Sequence, residues 1–258
     1  MNSRTARRRL FATDPLPKMA YYTKRTHDAL DYLPRTPLTE YAKGSVIYSG
    51  KSESLHVVAS GRVKISSVAP DGWESIIRIV PPESLFGECS LINADSSERA
   101  IALDWVKVMA WSRAEVEYQI DKNPRLGLAL LEEFALAILN MNDRLRAMAA
   151  LRTPERVMVS LLQLQHTLGK PQVDGVMRMA SLSHMVIAEY AGTSREIVSA
   201  QMTRLRRLGM IRYSRRFIDV DCEAMEQALQ NGNPYNGPVN FAGDKSAHST
   251  PPSDTMTT

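Results

Sequence analysis

A chain of 258 residues that is 44% hydrophobic and carries a formal net charge of +4 holds enough apolar material for two domain cores. No apolar run approaches the roughly 20 residues of a membrane span, and the opening MNSRTARRRLF lacks the apolar core of a secretory signal, so a cytoplasmic protein with no membrane partner is expected. Cys89 and Cys222 stand far apart without ligand-like spacing, which argues against a disulfide framework or an all-cysteine metal cluster.

Residues 1 to 37, with Pro15, Pro17, Pro34 and Pro37 among scattered charges, read as a largely disordered arm with one short helix around Arg25 to Leu33. Residues 38 to 122 read as a sensory β-domain. Runs of strand type cover Ser45 to Tyr48, Leu55 to Ala59, Arg62 to Val68, Ser75 to Val80 and Val106 to Trp111, punctuated by Gly44, Gly50, Gly61, Asp71-Gly72 and Pro81-Pro82. Short strands at regular spacing with such turn signals predict a barrel or roll.

Residues 123 to 152 read as one long helix, with Pro124 in its first turn. Leu128, Leu131, Ala135, Ile138, Met141, Leu145 and Met148 recur at spacings of three and four. About 27 residues would extend roughly 40 Å, longer than one small domain requires. The stripe is therefore a candidate dimerisation seam. The alternative is a helix packed along its own β-domain, since Asn140, Asn142, Arg144 and Arg146 interrupt the stripe.

Thr153-Pro154 ends that helix and opens the next, Glu155 to Thr167, with which a C-terminal domain of residues 153 to 230 begins. Ser183 can cap a short helix whose apolar positions are Val186, Ile187, Tyr190 and Ala191, and Gly192 supplies the freedom to turn. Thr193 or Ser194 can cap a second helix with Val198, Met202, Leu205 and Leu208 on its inner face, and the small Ala188 permits close crossing. Such a pair can place its second helix in a major groove. From 195 to 216 the basic residues are Arg195, Arg204, Arg206, Arg207, Arg212, Arg215 and Arg216, against Glu196 alone, which suits a polyanion. Ile211 to Tyr213 and Phe217 to Val220 then predict a hairpin wing with Ser214, Arg215 and Arg216 at its tip. Residues 231 to 258, rich in Gly, Asn, Pro, Ser and Thr, read as a disordered tail. The bland reading of the basic stretch is a pair of amphipathic helices with a solvated arginine face.

The segment GTSREIVSAQMTRLRRLGMI resembles the winged helix of the bacterial Crp/Fnr transcription regulators, with Ser194, Arg195 and Glu196 at the start of the recognition helix. The resemblance implies an α+β fold and a homodimer on near-palindromic double-stranded DNA, with RNA polymerase as a further partner. It also implies that Arg195 reads guanine and Glu196 accepts from cytosine. Ala200 stands where the family's best-known pattern has a second base-reading arginine, leaving Ser199, Gln201 or Thr203 as substitutes. Arg204, Arg212, Arg215, Arg216 and Ser194 complete the expected DNA contacts.

A second resemblance lies in the β-domain. Gly-Ser-Val-Ile-Tyr, Leu55 to Val58 and Gly-Arg-Val-Lys-Ile look like the cyclic-nucleotide-binding fold, and Phe86-Gly87-Glu88-Cys89-Ser90-Leu91 with Glu98-Arg99-Ala100-Ile101-Ala102 resembles its phosphate-binding cassette. In such a cassette backbone N–H groups after the glycine hold a phosphate, the carboxylate accepts from a ribose hydroxyl, and the arginine pairs the phosphate charge. Gly87, Glu88 and Arg99 keep those capacities. Ala100 replaces a phosphate-binding serine, Met141 and Asn142 stand where cAMP-responsive members carry a Thr-Ser pair, and the spacing from Glu88 to Arg99 is one residue longer. An ion pair between Glu88 and Arg99 in a ligand-free roll is the structural alternative.

The iron–sulfur sensors of this family use several cysteines, so no such cluster is expected and no metal is called for; a cyclic nucleotide at the β-roll is the effector that the resemblance leaves open. His27, His56, His166, His184 and His248 lie in separate contexts without paired metal spacing. His56 is the candidate for haem and Cys89 for redox sensing, with ordinary packing as the alternative for both. No nucleotide loop, nucleophile elbow or catalytic carboxylate frame is present, so no enzyme is expected. The rival to the DNA reading is a cyclic-nucleotide-responsive module whose C-terminal helices contact a partner protein.

Overall fold

A computed structural model describes residues 26–92, 96–172 and 175–230. The expected arm before residue 26, the tail from 231 and His248 lie outside them. Alternating apolar residues build two antiparallel sheets, because one face of each strand must be buried. One sheet, in the order β1-β8-β3-β6, holds β1 (Thr39–Tyr41), β8 (Val106–Ser112), β3 (Ser54–Ser60) and β6 (Leu85–Phe86). The other, in the order β2-β7-β4-β5, holds β2 (Val46–Ser49), β7 (Glu98–Ala102), β4 (Val63–Val68) and β5 (Glu74–Val80). Val58, Val63, Ile65, Phe86, Ala100 and Val108 meet between them.

The segment from 26 to 37 is no free arm. Ala29 and Leu33 are buried against Leu55, Trp111 and Leu126, and the Trp111 indole donates to the Pro34 carbonyl at 2.9 Å. The expected helix there is a single 3-10 turn, Ala29–Asp31, started by the Asp28 side chain.

Helix α1 (Cys89–Ile92) is short, and α2 (Arg113–Lys122) begins at a Ser112–Glu115 capping box that sequence reading missed. Helix α3 (Arg125–Ala150) is the long helix. Leu126, Ala129 and Leu130 bury its first turns against the roll, whereas Leu131 is 66% and Ile138 59% exposed, with Leu128, Met141 and Leu145 also outward. The helix thus packs along the roll over its first turns and leaves its apolar stripe exposed beyond them. Met148 leaves the stripe, its Cε lying 2.9 Å from where a Cβ on Gly192 would be.

The C-terminal unit contains α4 (Thr153–Leu168), α5 (His184–Ala191), α6 (Arg195–Arg207) and α7 (Cys222–Gln230) with a sheet in the order β11-β12-β10-β9. Strands β11 (Ile211–Tyr213) and β12 (Phe217–Val220) are the expected wing. Strands β9 (Lys170–Pro171) and β10 (Met177–Ala180) extend it. Its core includes Ile76 and Ile79 of β5, so roll and C-terminal unit share one apolar cluster.

Polar contacts fix the same joint. The Lys64 ammonium, on a residue 8% exposed, lies 2.9 Å from Glu74 and 3.0 Å from Glu189 of α5. Arg62 pairs with Asp104 at 2.6 Å and donates to the carbonyls of Ala180 and Ser181 at 3.1 and 3.3 Å. Arg144, also 8% exposed, donates to the carbonyls of Ile77 and, at 2.6 Å, Tyr190, with its guanidinium 4.2 Å from the Tyr190 ring centre. The Ile77 carbonyl is offered by a β-bulge: Ile65 faces Arg78 and Ser66 faces Ile76, leaving Ile77 as the extra residue.

Candidate nucleic-acid interface

Local chemistry sets the two helices. The Ser183 hydroxyl accepts from the Val186 N–H at 3.2 Å and caps α5, Gly192 turns the chain in the left-handed region at φ 63°, and the Ser194 hydroxyl accepts from Ile197 to cap α6. Ala188 is buried at the crossing, and Val198, Met202 and Leu205 form the inner face of α6. The opposite face leaves Arg195, Glu196, Ile197, Ala200, Arg204, Arg206 and Arg207 exposed. The backbone at Glu196 and the Ser194 hydroxyl hold the Glu196 carboxyl below its usual pKa, so it stays a charged acceptor.

The structure divides the proposed substitutes for the missing arginine. Gln201 is only 6% exposed and lies on the inner side of α6, so it is not placed as a base reader. Ser199 donates to the Arg195 carbonyl at 2.8 Å and meets the His184 Nδ1 at 2.8 Å, while Thr203 donates to the Ser199 carbonyl at 3.0 Å. Both hydroxyls are engaged within the protein. Ile197, exposed beside Glu196, is a surface apolar group that sequence reading assigned no role; an aliphatic side chain there is suited to a thymine methyl.

In the wing, Ser214, Arg215 and Arg216 are exposed at the tip, and the Ser214 hydroxyl accepts from the Arg216 and Phe217 N–H groups. Arg212 is less outward than expected. It lies 3.5 Å from the buried Asp219 carboxylate, which also takes two bonds from Arg178 at 2.6 and 2.8 Å. Arg206 stands over the Tyr213 ring at 5.3 Å, tying recognition helix to wing.

Inside the roll, the cassette residues part company. Arg78 faces inward opposite Ile65, and one of its terminal nitrogens donates to both Glu88 oxygens at 2.7 and 2.6 Å. Arg99 does not pair with Glu88. It lies opposite Ser66 and Ser49, between the inward Glu98 and Ala100, and therefore projects from the other face of the sheet. There burial works to raise Glu74, but Ser66, Lys64 and Arg99 together hold that carboxyl below its usual pKa. Burial and the nearby Glu88 raise the pKa of Glu98. His56 clusters with Phe86 at 4.9 Å and Tyr48 at 6.0 Å, whose own rings are 6.2 Å apart, and burial pushes its pKa down to about 4. Gly87 has φ 82°, and a Cβ there would lie 2.7 Å from the Ser54 carbonyl oxygen, so the glycine permits close approach to β3. Burial pushes the Cys222 thiol up to about 11. Among the described residues no group of three or more His, Cys, Asp or Glu side chains could hold a metal ion, and no helix is long and apolar enough to cross a membrane.

A capped two-helix unit with an outward basic face, a wing and a β-roll joined by a long helix defines a winged-helix DNA-binding protein with a sensor-type domain. Residues 38–123 match the cyclic nucleotide-binding domain family and residues 155–228 the Crp-like helix-turn-helix domain family. The chain belongs to the Crp/Fnr family and is a DNA-binding transcription regulator. It is 28% identical over 177 residues to the CRP-like cAMP-activated global transcriptional regulator of Mycobacterium tuberculosis strain H37Rv, covering 67% of this chain and 79% of that one. To the global nitrogen regulator of Nostoc sp. strain PCC 7120 it is 29% identical over 172 residues, 66% of this chain and 77% of the other. The fold is shared with FixK2 from Bradyrhizobium japonicum, at TM-score 0.65 and 24% identity over 76% of this chain and 96% of that one. These relatives are regulators, not enzymes.

The family fold implies a cyclic nucleotide, and the residues do not fit one. Of the N–H groups that follow Gly87, those of Ser90 and Leu91 donate to the Gly87 and Glu88 carbonyls at 3.0 and 3.1 Å. Arg99 is on the wrong face, Ala100 offers no hydroxyl, and Glu98 puts a carboxyl among the inward groups.

Proposed function

We propose that the chain works as a homodimer on a near-palindromic operator in the cytoplasm, with two recognition helices entering successive major grooves about one DNA turn apart. The observation that carries this is the outward face of α6, where Arg195 and Glu196 stand exposed just after the Ser194 cap. Arg195 reads guanine and Glu196 accepts from cytosine, while Arg204, Arg215 and Arg216 hold phosphates. Ala200 removes one arginine contact, so the half-site differs at that base pair. The exposed apolar stripe of α3 supports pairing of two copies, since Leu131, Ile138 and Leu145 find no cover among the described residues. RNA polymerase is the partner that a regulator of this kind would contact.

Selection from random duplexes with the purified chain tests the reading: an enriched palindrome is expected. A salt-dependent but sequence-blind affinity would overturn it. Replacing Ile138 by Glu should give monomers in sedimentation and lower operator affinity by about a hundredfold or more, because the second half-site is no longer tethered.

A further inference from the structure

β5 has two loyalties. Its inward Arg78 is held by Glu88, which immediately precedes α1, while its outward Ile76 and Ile79 lie in the core of the C-terminal unit. Between them the bulged Ile77 gives its carbonyl to Arg144, whose other terminal nitrogen reaches the last turn of α5 at the Tyr190 carbonyl. One residue earlier in α5, Glu189 takes Lys64 of the neighbouring strand β4 at 3.0 Å. A restraint on β5 from inside the roll is thus a restraint on the first helix of the DNA-binding unit.

The ion pair supplies that restraint from within the chain. A phosphate would neutralise an inward arginine and draw the cassette toward it; here the Glu88 carboxylate, chelating one Arg78 nitrogen with both oxygens, does both. Added phosphate would meet an arginine already neutralised and the Glu98 carboxyl nearby, with the Ser90 and Leu91 N–H groups already bonded to the Gly87 and Glu88 carbonyls. Resting on the DNA-binding reading above, we propose that Glu88 is the roll's internal anion: it occupies Arg78 in place of an effector phosphate, ties α1 to β5, and through β5 keeps the helix-turn-helix docked, so that operator binding needs no cyclic nucleotide.

Calorimetry of the full wild-type chain with cAMP and with cGMP should show no saturable binding up to about 1 mM, and operator Kd should change by less than about twofold with either present. Saturable binding below about 100 µM, or a shift in operator Kd of about tenfold, overturns the proposal. Hydrogen exchange on Glu88→Gln tests the mechanical half. Amides of residues 74–80 and 184–191 should exchange about tenfold faster than in wild type, with Glu88→Asp closer to wild type. Acceleration confined to residues 87–92 would mean that the pair is local, and overturns the coupling. Should the Gln variant fail to fold, wild-type calorimetry still decides whether the cleft accepts a nucleotide. Neither calorimetry nor exchange involves DNA, so a failure of operator binding is separable from a failure here.

Discussion

The recognition helix and wing keep Arg195, Arg204, Arg206, Arg207, Arg215 and Arg216 exposed, whereas Arg62, Lys64, Arg78 and Arg144 of the roll and the joint end on a carboxylate or a carbonyl. The two regions use the same side chains in opposite physical regimes. An exposed guanidinium stays hydrated, is screened by salt, and contributes little to stability until a polyanion displaces its counterions. A buried one is costly to strand, so it fixes the position of whatever it touches. Position is set at the joint; recognition is left to the surface.

That contrast can be broken by substitution. The largest effect is expected at Arg144: replacement by Met strands the Ile77 and Tyr190 carbonyls and should cost about 3 kcal/mol in urea denaturation, given two hydrogen bonds from a charged donor. The salt dependence of nonspecific DNA binding should stay unchanged. A second interior effect concerns pH. Burial holds His56 at about 4 against an ordinary 6.5, so above 6.5 its contribution is complete. As pH falls from 6.5 toward 4 the unfolded chain takes up a proton that the folded chain refuses, and about 3 kcal/mol should be lost over that window. His56→Phe should flatten this part of the stability profile; an unchanged slope would remove His56 as its cause.

At the surface the signs reverse. Arg195→Ala should cost about 1–3 kcal/mol of operator affinity and relax one base pair while leaving the urea midpoint in place. An equal loss on every sequence would make it a phosphate contact instead. Arg216→Ala should weaken all duplexes alike and reduce the salt slope by about one. Smallest of all, Gln201→Met should leave base preference untouched, because the residue is buried in α6. A changed preference would place Gln201 in the groove after all.

Legibility in the sequence followed distance along the chain. Ser183, Gly192 and Ser194 act on neighbours within four residues, so the caps and turn of the helix-turn-helix could be read directly. The wing strands were readable for the same reason, flanking the polar tip from Ser214 to Arg216, whereas β9, of two residues, is too short to show a period. Arg99 misled because the face it takes depends on pairing with β4, which no local pattern reveals. Arg144 looked like an interruption of an apolar stripe; its partners are 46 and 67 residues away. Arg78 carried no cassette signature, and only the pairing of β4 with β5 turns it toward Glu88.

The bulge in β5 bears on chain length itself. Because Ile77 is the extra residue between two correctly facing pairs, its deletion would leave Ser75, Ile76, Arg78, Ile79 and Val80 on the faces they now occupy. The roll could close its ladder with one residue fewer. What such a deletion would remove is the carbonyl that Arg144 holds, together with a side chain packed at the edge of the roll core, so this single residue serves the neighbouring domain as well as the sheet in which it sits. A shortened strand would be expected to leave the roll folded and the DNA-binding unit loosely hinged.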